Sequence, residues 1–140
     1  MLNCPVLIVE DDPNVLKLIQ LSLNRLLGEA AIVIANDGIA ALQLLHDYTP
    51  QVIVLDSGLV QLSSADLLHH ILTRPHLDKT RLLLITAVPM RRATTGLDRV
   101  SGVLTKPIRP RELEYVVAQL LDIRVMPVAN SPYADPKPSP

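Results

Sequence analysis

Acidic side chains end two uninterrupted apolar runs of this 140-residue sequence. Asp56 directly follows one run of Val, Ile and Leu, and Glu10, Asp11 and Asp12 follow the other. Runs of this length and composition are typical of strands that are buried on both faces of a parallel sheet. Because ligands of such sheets bind beyond the carboxyl ends of the strands, we expect these carboxylates to gather at one binding edge.

Carboxylates crowded at one edge repel each other, and a hard divalent cation would relieve this repulsion. Oxygen ligands without nearby Cys or His suit Mg²⁺, with Mn²⁺ as the alternative. Thr86 and Lys106 stand at the ends of two further strand-like segments and should reach the same edge. A carboxylate held between a metal ion and an ammonium group can attack phosphorus. In this interpretation Asp56 is the nucleophile, and Lys106 and Thr86 bind phosphoryl oxygens. Glu10 and Asp11 hold the metal ion.

Five strand-like segments alternate with longer segments of helical periodicity. The predicted strands cover residues 5–9, 31–35, 51–55, 81–86 and 102–105. Alternation of this kind predicts repeated strand-helix units around a parallel sheet. The expected fold class is therefore α/β, a doubly wound five-stranded parallel sheet with five surrounding helices in three α/β/α layers.

Proline, glycine and capping residues delimit the predicted helices. The first helix should begin at Pro13 and end at Gly28, and the last should begin at Pro110. Two further helices are predicted at 40–47 and 63–72. The segment 89–99 contains Pro, Thr and Gly residues that lower helix propensity, so a mobile or partly formed helix is expected there.

The composition excludes several classes of function. Lys and Arg number 13 against 14 Asp and Glu, so no basic excess indicates direct contact with nucleic acid. No apolar segment approaches the roughly 20 residues of a membrane span, and the first residues do not resemble a secretory signal. We therefore expect a cytoplasmic protein without membrane contact. The single cysteine, Cys4, can form neither an internal disulfide nor a thiolate metal site.

The length suits one domain, which we predict at residues 1–124. Residues 125–140 are rich in proline and small polar residues, so they can bury little surface. This segment is predicted to be a disordered tail or linker.

Four motifs, in this order along the chain, resemble those of the receiver domains of two-component response regulators. They are Val9-Glu10-Asp11-Asp12, Val54-Leu55-Asp56, Ile85-Thr86-Ala87 and Leu104-Thr105-Lys106-Pro107. The resemblance covers residues 5–122 and implies a flavodoxin-like fold. It also implies that Asp56 accepts a phosphoryl group from a sensor histidine kinase or a histidine phosphotransfer protein in a Mg²⁺-dependent reaction. The domain would then signal by a conformational change.

The resemblance assigns further roles. Glu10 and Asp11 would form the acid pair of the metal site, with Asp12 as an adjacent third acid. The backbone carbonyl of Gly58 would be another metal ligand, and Lys106-Pro107 is a candidate cis peptide.

Such a domain is a phosphoacceptor rather than a turnover enzyme, because it only catalyses its own phosphorylation and a slow autodephosphorylation. Its output would pass through the face formed by residues 89–122, to an output partner or to a second copy of the domain.

Three residues depart from the pattern of the family. Val60 replaces a usual proline, Ser64 replaces a usual glycine, and Val103 replaces a usual aromatic residue. The loop after Asp56 is therefore expected to have its own shape. The missing aromatic side chain predicts that phosphorylation is intact while its readout is altered.

Other functions remain as alternatives. A receiver-like interaction module would keep the fold with weak or altered switching. An aspartyl-nucleophile phosphatase would need a second Asp two residues after the nucleophile, where this chain has Gly58. A flavodoxin-like nucleotide binder would need a small-residue phosphate loop after the first strand, where this chain is acidic. The histidines are expected at the surface or at interfaces, away from the predicted edge; they are His46, His69, His70 and His76.

Overall fold

The computed structural model describes residues 2–59, 64–87 and 99–123, and within them five parallel strands form one sheet. The strands are β1 (Leu2–Val9), β2 (Ile32–Ala35), β3 (Tyr48–Asp56), β4 (Arg81–Thr86) and β5 (Val100–Thr105), in the order β2-β1-β3-β4-β5. The α-helices in these ranges are α1 (Pro13–Leu27), α2 (Gly38–Asp47), α3 (Ser64–Leu72) and α4 (Pro110–Leu120). None of the helices in the described ranges is long and apolar enough to cross a membrane. The predicted α/β fold class is confirmed.

The helix ends follow the turn signals of the sequence. Asp12 begins α1, because its side chain accepts hydrogen bonds from two backbone N–H groups of the first turn, the nearer being Asn14 at 2.9 Å. Gly28 ends the same helix with a φ of 87°, a conformation that favours glycine. Asp37 caps α2 by accepting a hydrogen bond from the N–H of Ala40 at 2.7 Å. These caps orient the two helices that follow β1 and β2.

Apolar side chains cover both faces of the sheet. The face that packs against α2 and α3 carries Leu7, Val9, Ile53, Leu55, Leu82 and Leu84. The face that packs against α1 and α4 carries Val6, Ile8, Val52, Val54, Leu83 and Ile85. We call these the α2/α3 face and the α1/α4 face. Successive residues of a strand alternate between the faces, so residues an even number of positions apart lie on the same face.

Three strands are longer than the sequence patterns predicted. β1 and β3 begin at Leu2 and Tyr48, where they pair with each other, instead of at residues 5 and 51. β5 begins at Val100 instead of at residue 102. Each added segment contains a polar residue that interrupts the apolar pattern, and pairing with a neighbouring strand makes the segment part of the sheet. The predicted helix at 89–99 lies outside the described residues except for its last position, and the predicted tail at 125–140 lies entirely outside them.

Gly102 lets β5 lie close to β4 and α4. A Cβ atom added at this position would stand 3.2 Å from Cδ1 of Leu83 and 3.8 Å from Cγ1 of Val116. The first of these contacts is tighter than most Cβ contacts in proteins, so the Leu83 side chain would have to shift. Gly102→Ala is therefore expected to destabilise the domain by about 1–3 kcal/mol in urea unfolding. A double variant that adds Leu83→Val, and so removes the crowded methyl group, should recover part of the loss. Strictly additive effects of the two substitutions would contradict this explanation.

Candidate functional site

Three charged side chains emerge on the α1/α4 face at the carboxyl edge of the sheet. Glu10 directly follows β1, Asp56 ends β3, and Lys106 directly follows β5. Each of the three lies two residues after a core residue of the α1/α4 face, namely Ile8, Val54 or Leu104. The parallel topology and the alternation of side chains therefore bring together residues that lie far apart in the sequence.

The three side chains form one contact group. The Lys106 ammonium Nζ lies 3.3 Å from Asp56 Oδ1 and 3.4 Å from Glu10 Oε1. The backbone N–H of Gly58 donates a hydrogen bond to Asp56 Oδ1 at 3.1 Å. Glu10 is fully buried, and Asp56 is only 5% exposed. The two carboxyl groups thus share a single ammonium group in a site largely shielded from water.

Burial and these contacts shift the pKa values of the group in different directions. Burial, together with the hydrogen bond and the charge of Asp56, raises the pKa of Glu10 to about 8. Burial alone would also raise the pKa of Asp56, but hydrogen bonds from Glu10 and Gly58 and the charge of Lys106 lower it overall. Burial opposes the charge on Lys106, but the neighbouring carboxylates raise its pKa. The surroundings therefore favour the neutral form of Glu10 and the ionised form of Asp56 when no metal ion is bound.

Glu10, Asp11 and Asp56 form a group that could hold a metal ion. Each offers a carboxylate oxygen, and these oxygens all lie within 4.8 Å of one another. Glu10 Oε2 is buried, and within the described part of the chain it has no hydrogen-bond partner. An uncompensated buried carboxylate oxygen in an all-oxygen cluster fits a hard cation such as Mg²⁺ or Mn²⁺.

The other predicted site residues lie in different places. Asp12 is exposed and caps α1, and it does not belong to the group of three acids. Gly58 lies beside Asp56, and its N–H makes the contact there. The sequence predicted a role only for the carbonyl of Gly58, as a metal ligand. An Asp followed two residues later by Gly is, however, typical of a turn in which the Asp side chain accepts a hydrogen bond from the backbone.

Backbone hydrogen bonds join the strand ends around the site. Thr86 is buried at the end of β4, at the same carboxyl edge of the sheet as Asp56 and Lys106. The N–H of Lys106 donates to the carbonyl oxygen of Thr86 at 2.7 Å, and the N–H of Ser57 donates to that of Ile85 at 2.8 Å. The peptide bond between Lys106 and Pro107 is cis, as expected. The ends of β3, β4 and β5 are thereby tied together.

The histidines lie elsewhere. His46 is in the last turn of α2, and His69 and His70 are in the last turn of α3 with their rings 6.2 Å apart. His76 precedes β4, and its Nε2 lies 3.0 Å from the carbonyl oxygen of Leu45. None of them belongs to the acidic group at the carboxyl edge.

Comparisons with known proteins identify the family to which this chain is similar. The family model of the response regulator receiver domain matches residues 6–118. The Regulator of RpoS from Escherichia coli K12 is 33% identical over 106 residues, which are 74% of this chain and 30% of that protein. The chain thus spans less than a third of the length of this curated relative.

Solved structures show the same fold. The receiver domain of the Francisella response regulator 1452 is 27% identical with a TM-score of 0.72, covering 86% of this chain and 98% of that one. The signal receiver domain of a DNA-binding response regulator from Colwellia psychrerythraea 34H has a TM-score of 0.74 at 24% identity, covering 87% of this chain and 99% of that one. The latter likeness concerns the fold alone. With the family match over most of its length, this chain belongs to the response regulator receiver domain family.

Proposed function

We propose that this receiver domain accepts a phosphoryl group on Asp56 in a reaction that depends on Mg²⁺, and that it signals by a conformational change. The observation that carries the proposal is the setting of Asp56. Its buried carboxylate lies 3.3 Å from the Lys106 ammonium group and shares an acidic cluster with Glu10 and Asp11. A nucleophile between an ammonium group and a metal site is the arrangement that phosphoryl transfer requires.

The ionised carboxylate of Asp56 would be the nucleophile. Its lowered pKa keeps it deprotonated at neutral pH, so it needs no general base. One Asp56 oxygen would attack the phosphorus atom of a phosphohistidine. The phosphorus–nitrogen bond breaks, its electron pair returns to the imidazole, and an aspartyl phosphate forms. The Gly58 N–H orients the carboxylate for this attack.

Glu10, Asp11 and Asp56 would supply the protein oxygens for Mg²⁺ or Mn²⁺. When bound, the ion supplies positive charge that neutralises the phosphoryl oxygens and the leaving group. Lys106 would pair with one phosphoryl oxygen, and the Thr86 hydroxyl would donate a hydrogen bond to another. Slow attack of water on the aspartyl phosphate would release inorganic phosphate and restore Asp56. The domain would thus be a phosphoacceptor and not a turnover enzyme.

Incubation with acetyl phosphate tests the proposal. Intact mass measurement should show the addition of one phosphoryl group in the presence of Mg²⁺ or Mn²⁺. The adduct should be absent when the metal is chelated. A protein that acquires no adduct with either ion would overturn the proposed function.

The proposed phosphodonor partner is a sensor histidine kinase or a histidine phosphotransfer protein, which would place the domain in the cytoplasm. The curated relative is named as a regulator of RpoS, and it is more than three times as long as the matched segment. For this chain we propose output through protein contact at the face of residues 89–122, with an output partner or a second copy of the domain. We propose no direct contact of this domain with nucleic acid or with a membrane.

A second candidate function is a receiver-like module with altered switching, and Val103 favours it. This side chain is half-buried and packs against the core of the α2/α3 face. Because valine has no aromatic ring, no such ring can move between exposed and buried positions here. Coupling between Asp56 and the 89–122 face would then be weak.

The altered readout makes a spectral prediction. Beryllofluoride, which mimics an acyl phosphate, should shift the amide resonances around Asp56 more than those of residues 89–104. Val103→Tyr should enlarge the shifts in the second group, because an aromatic side chain can again respond to the site. Large shifts across 89–104 in the wild-type domain would count against altered switching.

A further inference from the structure

β5 contains one residue more than its pairing with β4 requires. Leu82 pairs with Val100, whereas the next residue of β4, Leu83, pairs with Gly102. Ser101 is therefore the extra residue of a bulge. Bulges are rare in parallel sheets and bend the strand in which they occur, so this one calls for an explanation.

The bulge changes the face to which later residues of β5 point. Val100 packs in the core of the α2/α3 face, yet Leu104, an even number of residues later, packs in that of the α1/α4 face. In a regular strand both side chains would point to the same face, because the alternation has a period of two. Val103, an odd number of residues after Val100, shares its face. The extra residue at Ser101 accounts for this reversal.

The reversal reaches the functional site. Lys106 lies two residues beyond Leu104 and so comes out on the α1/α4 face, where its Nζ contacts Asp56 and Glu10. Without the bulge, and with Val100 in its observed place, Lys106 would point to the opposite face. It would also stand about 3.3 Å farther beyond the edge of the sheet.

We propose that the bulge at Ser101 positions Lys106, because the one extra residue in β5 turns Lys106 onto the sheet face that carries Glu10 and Asp56. Ser101 and Gly102 are the positioning residues. The role of Lys106 in phosphorylation rests on the proposed function, whereas its placement is a matter of strand register.

Two local contacts support the bulge. The hydroxyl oxygen of Ser101 accepts a hydrogen bond from the backbone N–H of Leu82 at 3.3 Å, so the side chain provides an acceptor where the ladder is irregular. Gly102, the next residue, has no side chain to collide with Leu83, with which it pairs. A hydroxyl residue followed by glycine thus suits the irregular pairing at this point.

The test uses two nearly isosteric substitutions, Ser101→Val and Ser101→Thr. Both introduce a β-branched side chain, but only threonine keeps the hydroxyl oxygen. Register is read from cross-strand backbone NOEs between Leu84 and Val103, and from hydrogen exchange of the Lys106 amide, which donates to Thr86. Phosphorylation by acetyl phosphate with Mg²⁺ and the thermal midpoint are measured on the same samples.

For Ser101→Val we expect weakened Leu84–Val103 NOEs and faster exchange of the Lys106 amide. Phosphorylation should be slower by about tenfold or more, since small displacements of a site residue are costly. Ser101→Thr should remain within about twofold of the wild type in each measurement. The thermal midpoints of the two variants should be similar, because valine suits a strand at least as well as threonine.

A folded Ser101→Val variant with wild-type NOEs, amide exchange and phosphorylation rate would overturn the proposal. If that variant does not fold, Ser101→Ala removes the same hydroxyl without a β-branched side chain, and the same outcomes apply. The register measurements need neither metal nor phosphodonor. If the wild-type domain itself takes up no phosphoryl group, the proposed function fails while the NOEs and amide exchange still decide the role of the bulge.

Discussion

Replacing Asp56 with asparagine is expected to abolish the phosphoryl adduct that acetyl phosphate forms in the presence of Mg²⁺. The amide has no anionic oxygen to attack phosphorus, and it is a poor ligand in a site that needs negative charge for a divalent cation. The asparagine side chain would occupy nearly the same volume, and Glu10 and Gly58 can still donate hydrogen bonds to its carbonyl oxygen. The variant should therefore fold while losing the reaction. Intact mass measurement with and without acetyl phosphate checks whether the adduct forms.

Asp12→Asn is the matched control for this experiment. It removes one negative charge close to the same edge, and asparagine caps helices about as well as aspartate. Because Asp12 caps α1 and lies outside the group of three acids, this variant should form the adduct with an unchanged requirement for Mg²⁺. An undiminished adduct on Asp56→Asn would show that another residue is the acceptor. A lost adduct on Asp12→Asn would show that the third acid takes part in metal binding.

Replacing Glu10 with glutamine is expected to weaken Mg²⁺ binding. It is also expected to make the metal-free domain more stable than the wild type as the pH rises. Glutamine removes a carboxylate oxygen from the group of three acids, so the affinity for Mg²⁺ should fall by at least about tenfold. Its amide N–H can still donate a hydrogen bond to Asp56, as the protonated Glu10 does. Isothermal titration with Mg²⁺ measures the first effect, and thermal unfolding in the presence of a chelator measures the second.

The pH dependence of stability follows from the raised pKa of Glu10, which is about 8 in the folded domain and 4.5 ordinarily. A group whose pKa is raised by folding contributes stability that is fully present below the ordinary value and is lost as the pH rises through the folded value. The metal-free wild-type domain should therefore lose stability between about pH 5 and pH 9, relative to Glu10→Gln. The lowered pKa of Asp56 acts at acid pH and is largely common to both proteins.

Mg²⁺ should reverse this order at alkaline pH, because a bound cation stabilises the ionised form of Glu10 in the wild type only. Two observations would contradict the account. One is a pair of parallel stability profiles for wild type and Glu10→Gln without metal. The other is an equal gain in thermal midpoint for both proteins when Mg²⁺ is added.

Much of the fold and of the site could be predicted because the signals are local. The apolar run that ends at Asp56 predicted a buried strand, and Asp12, Pro13 and Gly28 marked the ends of α1. The early starts of β1 and β3 could not be predicted, because the residues that pair there are far apart in the sequence. Asp12 belongs to a run of three acids, and the sequence does not distinguish it from its two neighbours. The structure does, because Asp12 caps α1 whereas Glu10 and Asp11 join Asp56 in the acidic group.

The sequence by itself determined which chemical groups stand at the strand ends and in what order, since residue type and a period of two are properties of neighbouring residues. Only the tertiary structure decided that Glu10 is buried beside Asp56 and has a raised pKa, because desolvation and charge depend on what surrounds a group. It also decided the face on which Lys106 emerges. That face depends on the bulge at Ser101, and a bulge exists only in the pairing of one strand with another.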